Sequence, residues 1–587
     1  MRKEGLPTYA GGDKDRRWVV VQDDLFSDTT VYGDRCHREM SMCDVQSSKA
    51  YSGSCLSKKR RPKDPKASAV PEPSQNQLLQ GRSQFLVIAL VTLIALALRL
   101  HRLGEQLSYD ESVSAVFASL SLREFVATLW GGEGNMALFY VLVRAWSHVG
   151  YGEAVLRCFS LFFGVATIPA VYELGRRFVD KKVGLAGAAL LAANGFHIRY
   201  SQFLRSYALA VFLLVVSTYL FLAALESARQ KKTWAAYVLV SALAVYAHVL
   251  ALLVLIAQWL SLGPAALKRI GLGRLLWIVV TGGLLMSPMA AEMLLERKSQ
   301  IDWIPSPTLG SFVKAIADLA GSYRWSLPHP AVGLVLLVPF AVFWALAALG
   351  MVYSASAELE VPMRSVALRV LTLWLVFPIG AMLLFSLIRP LSHPQSLWNA
   401  QYVSLCLPAA MLVAGEGISV FSKTVCRLHW VFPVVLASML ALSAVGVEGD
   451  YVGRSIDSRN FGLRTITSYI LARQRPADAI FFDIPWEQPY PYLYYTHLDQ
   501  RQGIITTVPP AFSGHLTPEW INSAAEKYER IWVVWETAKP RSPEQVALIR
   551  SGFERSFQLA GEQEFPGHGI ALFVKRLHKD EDRSRRQ

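Results

Sequence analysis

The feature that most constrains this chain is a succession of long apolar runs separated by short clusters of Lys and Arg. Many of these runs approach the length of about 20 residues that an α-helix needs to cross a bilayer. Of the 587 residues, 52% are hydrophobic and 18% are charged, which is far from the composition of a soluble globular protein. The sequence therefore predicts a polytopic α-helical membrane protein.

The net charge of +14 is concentrated in the basic clusters between the apolar runs. Short loops rich in Lys and Arg stay in the cytosol, so these clusters predict orientation, and their distribution argues against a nucleic-acid surface. With a cytosolic N-terminus, about eleven spans place every strongly basic loop inside. The predicted spans are 84–101, 154–175, 183–196, 207–226, 234–247, a sixth that ends at Lys268, 275–292, 331–353, 367–388, 401–421 and 430–447.

Composition divides the chain into four parts. Residues 1–83 are polar and lack periodicity, which predicts a disordered cytosolic arm. Residues 84–448 form the predicted transmembrane domain, with a long first outer loop at 102–153, and 579–587 form a charged tail. Residues 449–578 alternate between strand and helix patterns and predict a small extracytoplasmic α/β domain. Its predicted elements are strands at 479–482, 530–535 and 570–574 and helices at 464–473, 518–528 and 543–551.

Within the first outer loop, residues 138–142 and Trp146 are apolar, but Arg144 interrupts them. A segment this short and broken is expected to lie along the membrane surface and not to cross it. Counting it as a span would also move a strongly basic loop to the outside.

Two adjacent carboxylates, Asp110 and Glu111, follow the first apolar run at its outer end. Carboxylates near hydrocarbon are costly unless they pair, bind a cation or take part in chemistry; the simpler interpretation is an interfacial helix whose acids face water. A transferase with a lipid-phosphate donor needs a base for the acceptor hydroxyl and cationic forks for the leaving phosphate. The other polar residues predicted on this face are Glu133, Asn135, Arg199, Arg205, Tyr207, His248, Asp302, Arg324, Arg389, His393 and Gln401.

Several short motifs follow one another in the order and spacing of a known family. They are Leu98-Arg99-Leu100, Leu103-Gly104, Leu107-Ser108-Tyr109-Asp110-Glu111, Asn135-Met136-Ala137-Leu138-Phe139-Tyr140, Gly152-Glu153-Ala154-Val155-Leu156-Arg157, Tyr172-Glu173-Leu174-Gly175-Arg176-Arg177 and Tyr200-Ser201-Gln202-Phe203-Leu204-Arg205-Ser206-Tyr207. In these motifs the chain resembles the C-type membrane glycosyltransferases. The resemblance is to the bacterial relatives of the dolichyl-phosphate-mannose protein mannosyltransferases and lipid A aminoarabinose transferases, and it covers about 84–450.

The resemblance implies an inverting transferase in which an acceptor hydroxyl attacks the anomeric carbon opposite a phosphate leaving group. Asp110 would be the general base, and Glu111 would hold its geometry or help to bind a cation. Arg205 and Arg199 would grip the donor phosphate, with Tyr207 alongside. In some relatives a divalent metal lies near the first outer loop, and the candidate ligands in this chain are Glu133 and His248.

Two of these residues also have simpler interpretations: Arg205 could snorkel at the end of a span, and His248 could cap a short hairpin. Arg157, at the outer end of the second span, is expected to pair with an acid of the first loop. The chain departs from the family twice: Asn135-Met136-Ala137 stands where relatives have a Pro-Pro run, and Gln401-Tyr402 stands where relatives often have Arg-Tyr.

The apolar runs and basic loops predict a multi-pass plasma (inner) membrane protein, and the resemblance implies a glycosyltransferase of the bacterial cell envelope. It would move a hexosyl or pentosyl group from a polyprenyl-phosphate-linked donor to a lipid, glycan or protein acceptor at the extracytoplasmic face. A transporter or flippase of lipid-linked saccharides is the first alternative, and a non-catalytic relative that only binds lipid is the second. Flippases bind substrate near the bilayer midplane and often contain internal repeats, whereas here the acids gather in outer loops and the two halves show no repeat.

Overall fold

The fold was obtained as a computed structural model. It describes residues 75–227, 230–295, 304–321, 341–353, 362–388, 396–456, 463–475, 477–483, 489–502, 508–514, 516–537 and 543–576. The predicted disordered arm, apart from its last nine residues, and the predicted charged tail lie outside these ranges. Asp302, Arg324, Arg389 and His393 also lie outside the described residues.

The described chain up to Ile270 consists of helices joined by short connections, numbered here in chain order. These helices are α1 (Gln75–Leu100), α2 (Tyr109–Ser119), α3 (Leu122–Thr128), α4 (Ala137–Trp146), α5 (Glu153–Phe178), α6 (Lys181–Ala192), α7 (Gly195–Ser201), α8 (Tyr207–Glu226), α9 (Lys231–Ala247), α10 (Ala251–Leu260) and α11 (Pro264–Ile270). The helices that follow are α12 (Leu272–Leu295), α13 (Leu309–Leu319), α14 (Ala341–Tyr353), α15 (Pro362–Ile388), α16 (Ala400–Val403), α17 (Leu407–Val420) and α18 (Val431–Ile456).

Seven helices in the described ranges are long and apolar enough to cross a membrane, or up to eight if the α10–α11 pair, bent by 101°, counts as one span. The other predicted spans coincide with shorter helices, namely α6, α9 and α14. These helices make the chain an integral membrane protein and confirm the predicted polytopic helical fold. The seven long segments are Ser83–Leu100, Glu153–Phe178, Tyr207–Glu226, Leu272–Leu295, Met363–Ile388, Ala400–Thr424 and Val431–Gly449.

Helix α17 lies at the centre of the helical domain, because every residue from Leu407 to Val420 is buried. Glycines allow the surrounding helices to approach closely, as is usual between helices packed in a membrane. A Cβ atom added to Gly175 of α5 would lie 2.6 Å from the Cα atom of Gly184 in α6, and one added to Gly417 would lie 1.8 Å from the carbonyl oxygen of Leu346 in α14. Larger residues would force these helices apart.

The segment that joins α1 to α5, here called the α1–α5 segment (101–152), contains α2, α3 and α4. Helix α4 is the segment that the sequence predicted to lie along the surface; it is too short to span a bilayer. Its Arg144 ties it to the rest of the segment, because Nη1 donates hydrogen bonds to the carbonyl oxygens of Leu120 (2.5 Å) and Ala118 (3.4 Å). The guanidinium also lies over the ring of Phe125, 4.9 Å from its centre.

The C-terminal part forms a small α/β domain around a five-stranded sheet, as predicted. Strand order is β2-β1-β3-β5-β4, with β1 parallel to β2 and β3, and with β5 antiparallel to β3 and β4. The elements are α19 (Leu463–Leu471), β1 (Asp478–Asp483), α20 (Tyr490–Arg501), β2 (Ala511–Gly514), α21 (Pro518–Lys527), β3 (Arg530–Glu536), α22 (Pro543–Ser556), β4 (Phe557–Phe565) and β5 (His568–Lys575).

Helices cover both faces of this sheet, and each face has its own apolar core. One core joins Ile480 and Val534 to Ile466 of α19 and Tyr492 of α20. The other core is formed by β1 and β3 residues of opposite parity together with Ile521 of α21. All three predicted strands and all three predicted helices are present, whereas α20, β2 and β4 were not predicted.

Candidate active site

Helix α2 begins at a capping box, which fixes the position of the two adjacent acids. The Ser108 side chain accepts a hydrogen bond from the backbone N–H of Glu111 (3.4 Å), and the Glu111 carboxylate accepts one from the backbone N–H of Ser108 (3.0 Å). This reciprocal pair satisfies two donors at the start of the helix. Asp110 and Glu111 therefore lie in the first turn of α2, where their side chains leave the helix in different directions.

The Glu111 carboxylate is buried and fully occupied by donors. Oε1 accepts from Nε of Arg157 (2.7 Å) and from the backbone N–H of Leu204 (3.0 Å), while Oε2 accepts from Nη2 of Arg157 (2.8 Å) and from Ser108. Arg157 also donates to the carbonyl oxygens of Leu103, Glu105 and Gln106. The predicted pairing of Arg157 with a first-loop acid is thus confirmed, and it joins α2, α5 and the chain before α8.

The electrostatics of this pair favour the ionised carboxylate. Burial alone would raise the pKa of Glu111, but the charge of Arg157 and the hydrogen bonds from Arg157, Ser108 and Leu204 outweigh it, so the pKa is lowered. Glu111 is therefore ionised at neutral pH and has no lone pair directed at open space.

Asp110 differs from Glu111 in both burial and hydrogen bonding. Its side chain is half-buried, and the hydrogen bond at this residue is one that its backbone carbonyl accepts from Ser114 (3.3 Å). No described residue donates a hydrogen bond to its carboxylate. The carboxylate lies within electrostatic range of Arg205, Glu133 and Tyr402, and these residues form one group of interacting polar side chains.

Arg205 is the cation of this group. Its Nη1 donates a hydrogen bond to the hydroxyl of Tyr140 (3.3 Å), and that hydroxyl donates to Oε2 of Glu133 (3.0 Å). Its Nε is buried without a hydrogen-bond partner, and no described acid lies within 4.0 Å of its guanidinium nitrogens. Burial would lower the pKa of Arg205, but Tyr140, Asp110 and Glu133 raise it, so the guanidinium is charged and retains an unused donor.

Glu133 lies in the irregular turns between α3 and α4 and closes the acidic side of the group. Burial raises the pKa of Glu133 and the charges of Glu292 and Asp110 raise it further, against the opposing effects of Arg205 and of the Tyr140 hydroxyl. The buried Glu292 of α12 lies close by, because it accepts from the backbone N–H of Gly134 (3.4 Å).

Three rings, those of Tyr207, His248 and Tyr402, pack beside one another in this group. The ring of His248 lies 5.5 Å from that of Tyr207 and 5.3 Å from that of Tyr402, between centroids. The Nδ1 atom of His248 accepts from the backbone N–H of Leu250 (3.3 Å). Burial and then the charge of Arg205 lower the pKa of His248 to about 3, so the imidazole is neutral at physiological pH.

The structure brings together five of the seven predicted site residues. Asp110, Glu133, Tyr207 and His248 each interact electrostatically with Arg205. Glu111 is instead paired with Arg157. Arg199 is half-buried in the last turn of α7 and lies on the same connecting segment as Arg205, six residues earlier along the chain.

A metal ion was predicted near Glu133 and His248. Among the described residues, no three His, Cys, Asp or Glu side chains are grouped so that they could hold a metal ion. One nitrogen of His248 already accepts from Leu250, and Glu133 already accepts from Tyr140. These two residues alone fall short of the six or more ligands that a hard divalent cation takes, so the metal stays a prediction.

Sequence reasoning missed two members of the group, Tyr140 and Tyr402. Tyr140 belongs to the Asn135–Tyr140 motif. It also lies in the apolar run 138–142, and for that reason the sequence predicts only a surface helix there. Tyr402 follows Gln401, the residue at which the chain departs from the family pattern. In the structure it packs against His248 at the start of α16.

Comparison with solved structures supports the fold. ArnT from Cupriavidus metallidurans in the apo state matches with a TM-score of 0.53 and 11% identity, covering 84% of this chain and 98% of that chain. The same protein bound to undecaprenyl phosphate gives a TM-score of 0.49 and 12% identity over the same shares. The apo oligosaccharyltransferase of Archaeoglobus fulgidus gives 0.47 and 12% identity, covering 78% of this chain and 70% of that chain.

The likeness to apo ArnT shows that the chain has the fold of that protein, and so confirms the predicted fold of the C-type membrane glycosyltransferases. At 11% identity it shows the fold and not the substrate. No protein-family model and no curated protein matches the sequence.

Proposed function

We propose that the chain is an inverting membrane glycosyltransferase that uses a polyprenyl-phosphate-linked sugar. The observation that carries the proposal is that the Asp110 carboxylate, which accepts no hydrogen bond from a described residue, lies within electrostatic range of the buried guanidinium of Arg205. The Nε atom of that guanidinium also has no hydrogen-bond partner among the described residues. The reaction needs two such groups. A carboxylate accepts the proton of the attacking hydroxyl, and a cation stabilises the charge on the leaving phosphate.

In the proposed reaction an acceptor hydroxyl attacks the anomeric carbon of the donor sugar while Asp110 removes the hydroxyl proton. The bond between the anomeric carbon and the phosphate oxygen breaks, and the polyprenyl phosphate leaves with the bonding electron pair. Arg205 stabilises the charge on the leaving phosphate, and Tyr207 and Arg199 would assist. General-base catalysis of this kind contributes roughly 10²- to 10⁴-fold in rate.

Glu111 is proposed to act as a positioning residue. Because its carboxylate is saturated by Arg157, Ser108 and Leu204, it supports the first turn of α2 and holds Asp110 in place. The cation-binding role that the family resemblance also allowed has no free lone pair to support it.

A divalent metal is also proposed as a cofactor, although the described side chains offer few ligands for it. Glu133 and His248 could contribute ligands, and the donor phosphate would have to complete the set. No step of the proposed reaction uses it. Transfer that falls on treatment with a chelator and returns with added Mg²⁺ or Mn²⁺ would support the metal, whereas unchanged transfer would remove it from the proposal.

The orientation and the substrates belong to the same proposal. The positions of the basic loops support a cytosolic N-terminus, an extracytoplasmic C-terminal domain and transfer at the outer face of the plasma membrane. The donor would be a hexosyl or pentosyl polyprenyl phosphate, and the acceptor a lipid, glycan or protein with a free hydroxyl.

The test uses purified full-length protein supplied with a panel of polyprenyl-phosphate sugars and acceptors. We expect sugar transfer by the wild type and a loss of roughly 10²-fold or more in Asp110→Asn. Glu124→Gln is the matched control, because Glu124 is an exposed acid at the start of α3 in the same α1–α5 segment. Sugar transfer by Asp110→Asn at the wild-type rate would disprove the role of Asp110 as the general base. Donor movement across vesicles without cleavage would favour the flippase.

A further inference from the structure

Helix α20 of the C-terminal domain lies against the start of the segment that carries Asp110. The hydroxyl of Tyr495 accepts a hydrogen bond from the backbone N–H of Leu107 (2.9 Å), in a buried contact. Leu107 immediately precedes Ser108, the cap of α2. The bond therefore fixes the backbone immediately before α2, and so restrains the position of its first turn, which contains Asp110.

The same helix also holds the other end of the α1–α5 segment. The hydroxyl of Tyr494 donates a hydrogen bond to the carbonyl oxygen of Tyr151 (2.9 Å), and the hydroxyl of Tyr151 donates to the carbonyl oxygen of Ala115 in α2 (2.8 Å). Arg464 of α19 adds an ion pair to Glu153, at 3.0 Å. Contacts from α19 and α20 thus reach both ends of the segment.

Between these two points, rings from the two parts of the chain pack together. The ring of Tyr490, the first residue of α20, lies 5.8 Å from the ring of Tyr109 and 5.8 Å from that of Phe117, between centroids and edge to face. Tyr109 is adjacent to Asp110, and Phe117 in turn packs 5.3 Å from the ring of Tyr140. The C-terminal domain therefore contacts α2 on either side of Asp110 along the chain, and Phe117 links that contact to Tyr140.

We propose that α20 sets the geometry of the reaction site, with Tyr495 as a positioning residue for Asp110 and Tyr494 as its counterpart at the far end of the α1–α5 segment. This inference rests on the proposed glycosyltransferase function. It assigns to the C-terminal domain a direct part in turnover, because reacting groups displaced by about 1 Å can lose roughly 10²-fold in rate.

The test compares three Tyr→Phe changes within α20. Tyr495→Phe and Tyr494→Phe each remove a hydroxyl that bonds to the α1–α5 segment while keeping the ring. Tyr492→Phe is the matched control: its hydroxyl is buried in the domain's own core without a hydrogen-bond partner among the described residues. The two readouts are hydrogen exchange of the backbone amides of 107–119 and the separate values of kcat and KM for the donor.

We expect Tyr495→Phe to speed exchange in 107–119 and to lower kcat about tenfold, with the donor KM within about twofold of the wild type because the phosphate group at Arg205 is untouched. Tyr494→Phe should show a smaller change of the same kind. Tyr492→Phe should match the wild type in both readouts.

The inference is overturned if Tyr495→Phe exchanges like the wild type, or if all three variants lose kcat and melting temperature equally, as a general loss of folding would produce. Hydrogen exchange does not depend on turnover. Faster exchange in Tyr495→Phe together with a wild type that transfers no sugar would therefore uphold the contact and reject the proposed function instead.

Discussion

The guanidinium of Arg157 holds the carboxylate of Glu111 in a two-point ion pair, with Nε 2.7 Å from Oε1 and Nη2 2.8 Å from Oε2. This pair explains how two adjacent acids can serve different purposes. Glu111 is buried and fully bonded, while Asp110, one residue earlier, keeps an open carboxylate. Adjacent positions on a helix point in directions about 100° apart, so one acid can face the helical core and the other the site.

Removing the charge of Glu111 should destabilise the protein strongly. Glu111→Gln leaves the buried guanidinium of Arg157 without its counter-charge, which costs about 3–5 kcal/mol. Thermal unfolding of the detergent-purified protein measures the loss. Glu173→Gln is the control, because it breaks an exposed pair with Arg176 (side chains 37% and 37% exposed) and should cost about 0–1 kcal/mol. Equal shifts in both variants would contradict the importance of burial.

The contribution of this pair to stability should depend on pH in a defined direction. Because the pKa of Glu111 is lowered in the folded state, its stabilisation is fully present above the unfolded pKa of about 4.3 and is lost as the pH falls through the lower folded value. The melting-temperature gap between the wild type and Glu111→Gln should therefore be constant from about pH 6 to 8 and should narrow below about pH 4.3. A gap that narrows toward alkaline pH would contradict the lowered pKa.

Arg205 should govern binding of the lipid phosphate. Charge-assisted hydrogen bonds are worth about 1.5–3 kcal/mol, so Arg205→Ala should weaken the binding of a polyprenyl phosphate roughly 10- to 100-fold. Arg205→Lys should recover part of this loss because it keeps the charge but not the planar fork. The measurement is direct binding of a labelled polyprenyl phosphate in detergent. Arg123→Ala, at an exposed position of α3, should bind like the wild type; an equal loss there would point to a diffuse charge effect.

The Tyr140 hydroxyl should matter for turnover although Tyr140 is neither the base nor the phosphate ligand. Tyr140→Phe removes the bridge between Arg205 and Glu133 and lets the buried guanidinium move toward the acid. We expect kcat to fall about tenfold with little change in melting temperature. Tyr246→Phe, which loses an exposed hydrogen bond to the Leu285 carbonyl in α12, provides the comparison. An unchanged kcat in Tyr140→Phe would show that the hydrogen bonds of Tyr140 to Arg205 and Glu133 play no part in turnover.

Hydrophobicity and charge were enough to predict the helical fold. Every predicted span that falls in the described residues coincides with a helix. A long apolar run is visible in the sequence itself, and in lipid such a run must form a helix to satisfy its backbone hydrogen bonds. The strands β1, β3 and β5 could also be predicted, since each contains a run of consecutive apolar residues. Helix α20 was not predicted, because its Tyr-rich sequence with Pro491 in the first turn carries little helical signal.

The arrangement of the site could be predicted only in part. The sequence placed Asp110 and Arg205 on one face, because both follow from the order of spans. It could not show that Arg157 turns Glu111 away from the site or that Tyr140 bridges to Arg205, since those contacts join residues 46 and 65 positions apart. Such pairings depend on how helices pack against one another, and that is set by the whole fold and not by any one motif.

The hydrogen bond between Leu107 and Tyr495 joins residues that are 388 positions apart. During synthesis the chain emerges from its N-terminus at about 5–20 residues per second, so the amide of Leu107 waits roughly 20–80 seconds for its acceptor to be made. The segment that bears Asp110 can thus reach its final geometry only after synthesis has passed Tyr495. A chain interrupted late in translation would insert its helices into the bilayer yet carry an unfinished reaction site.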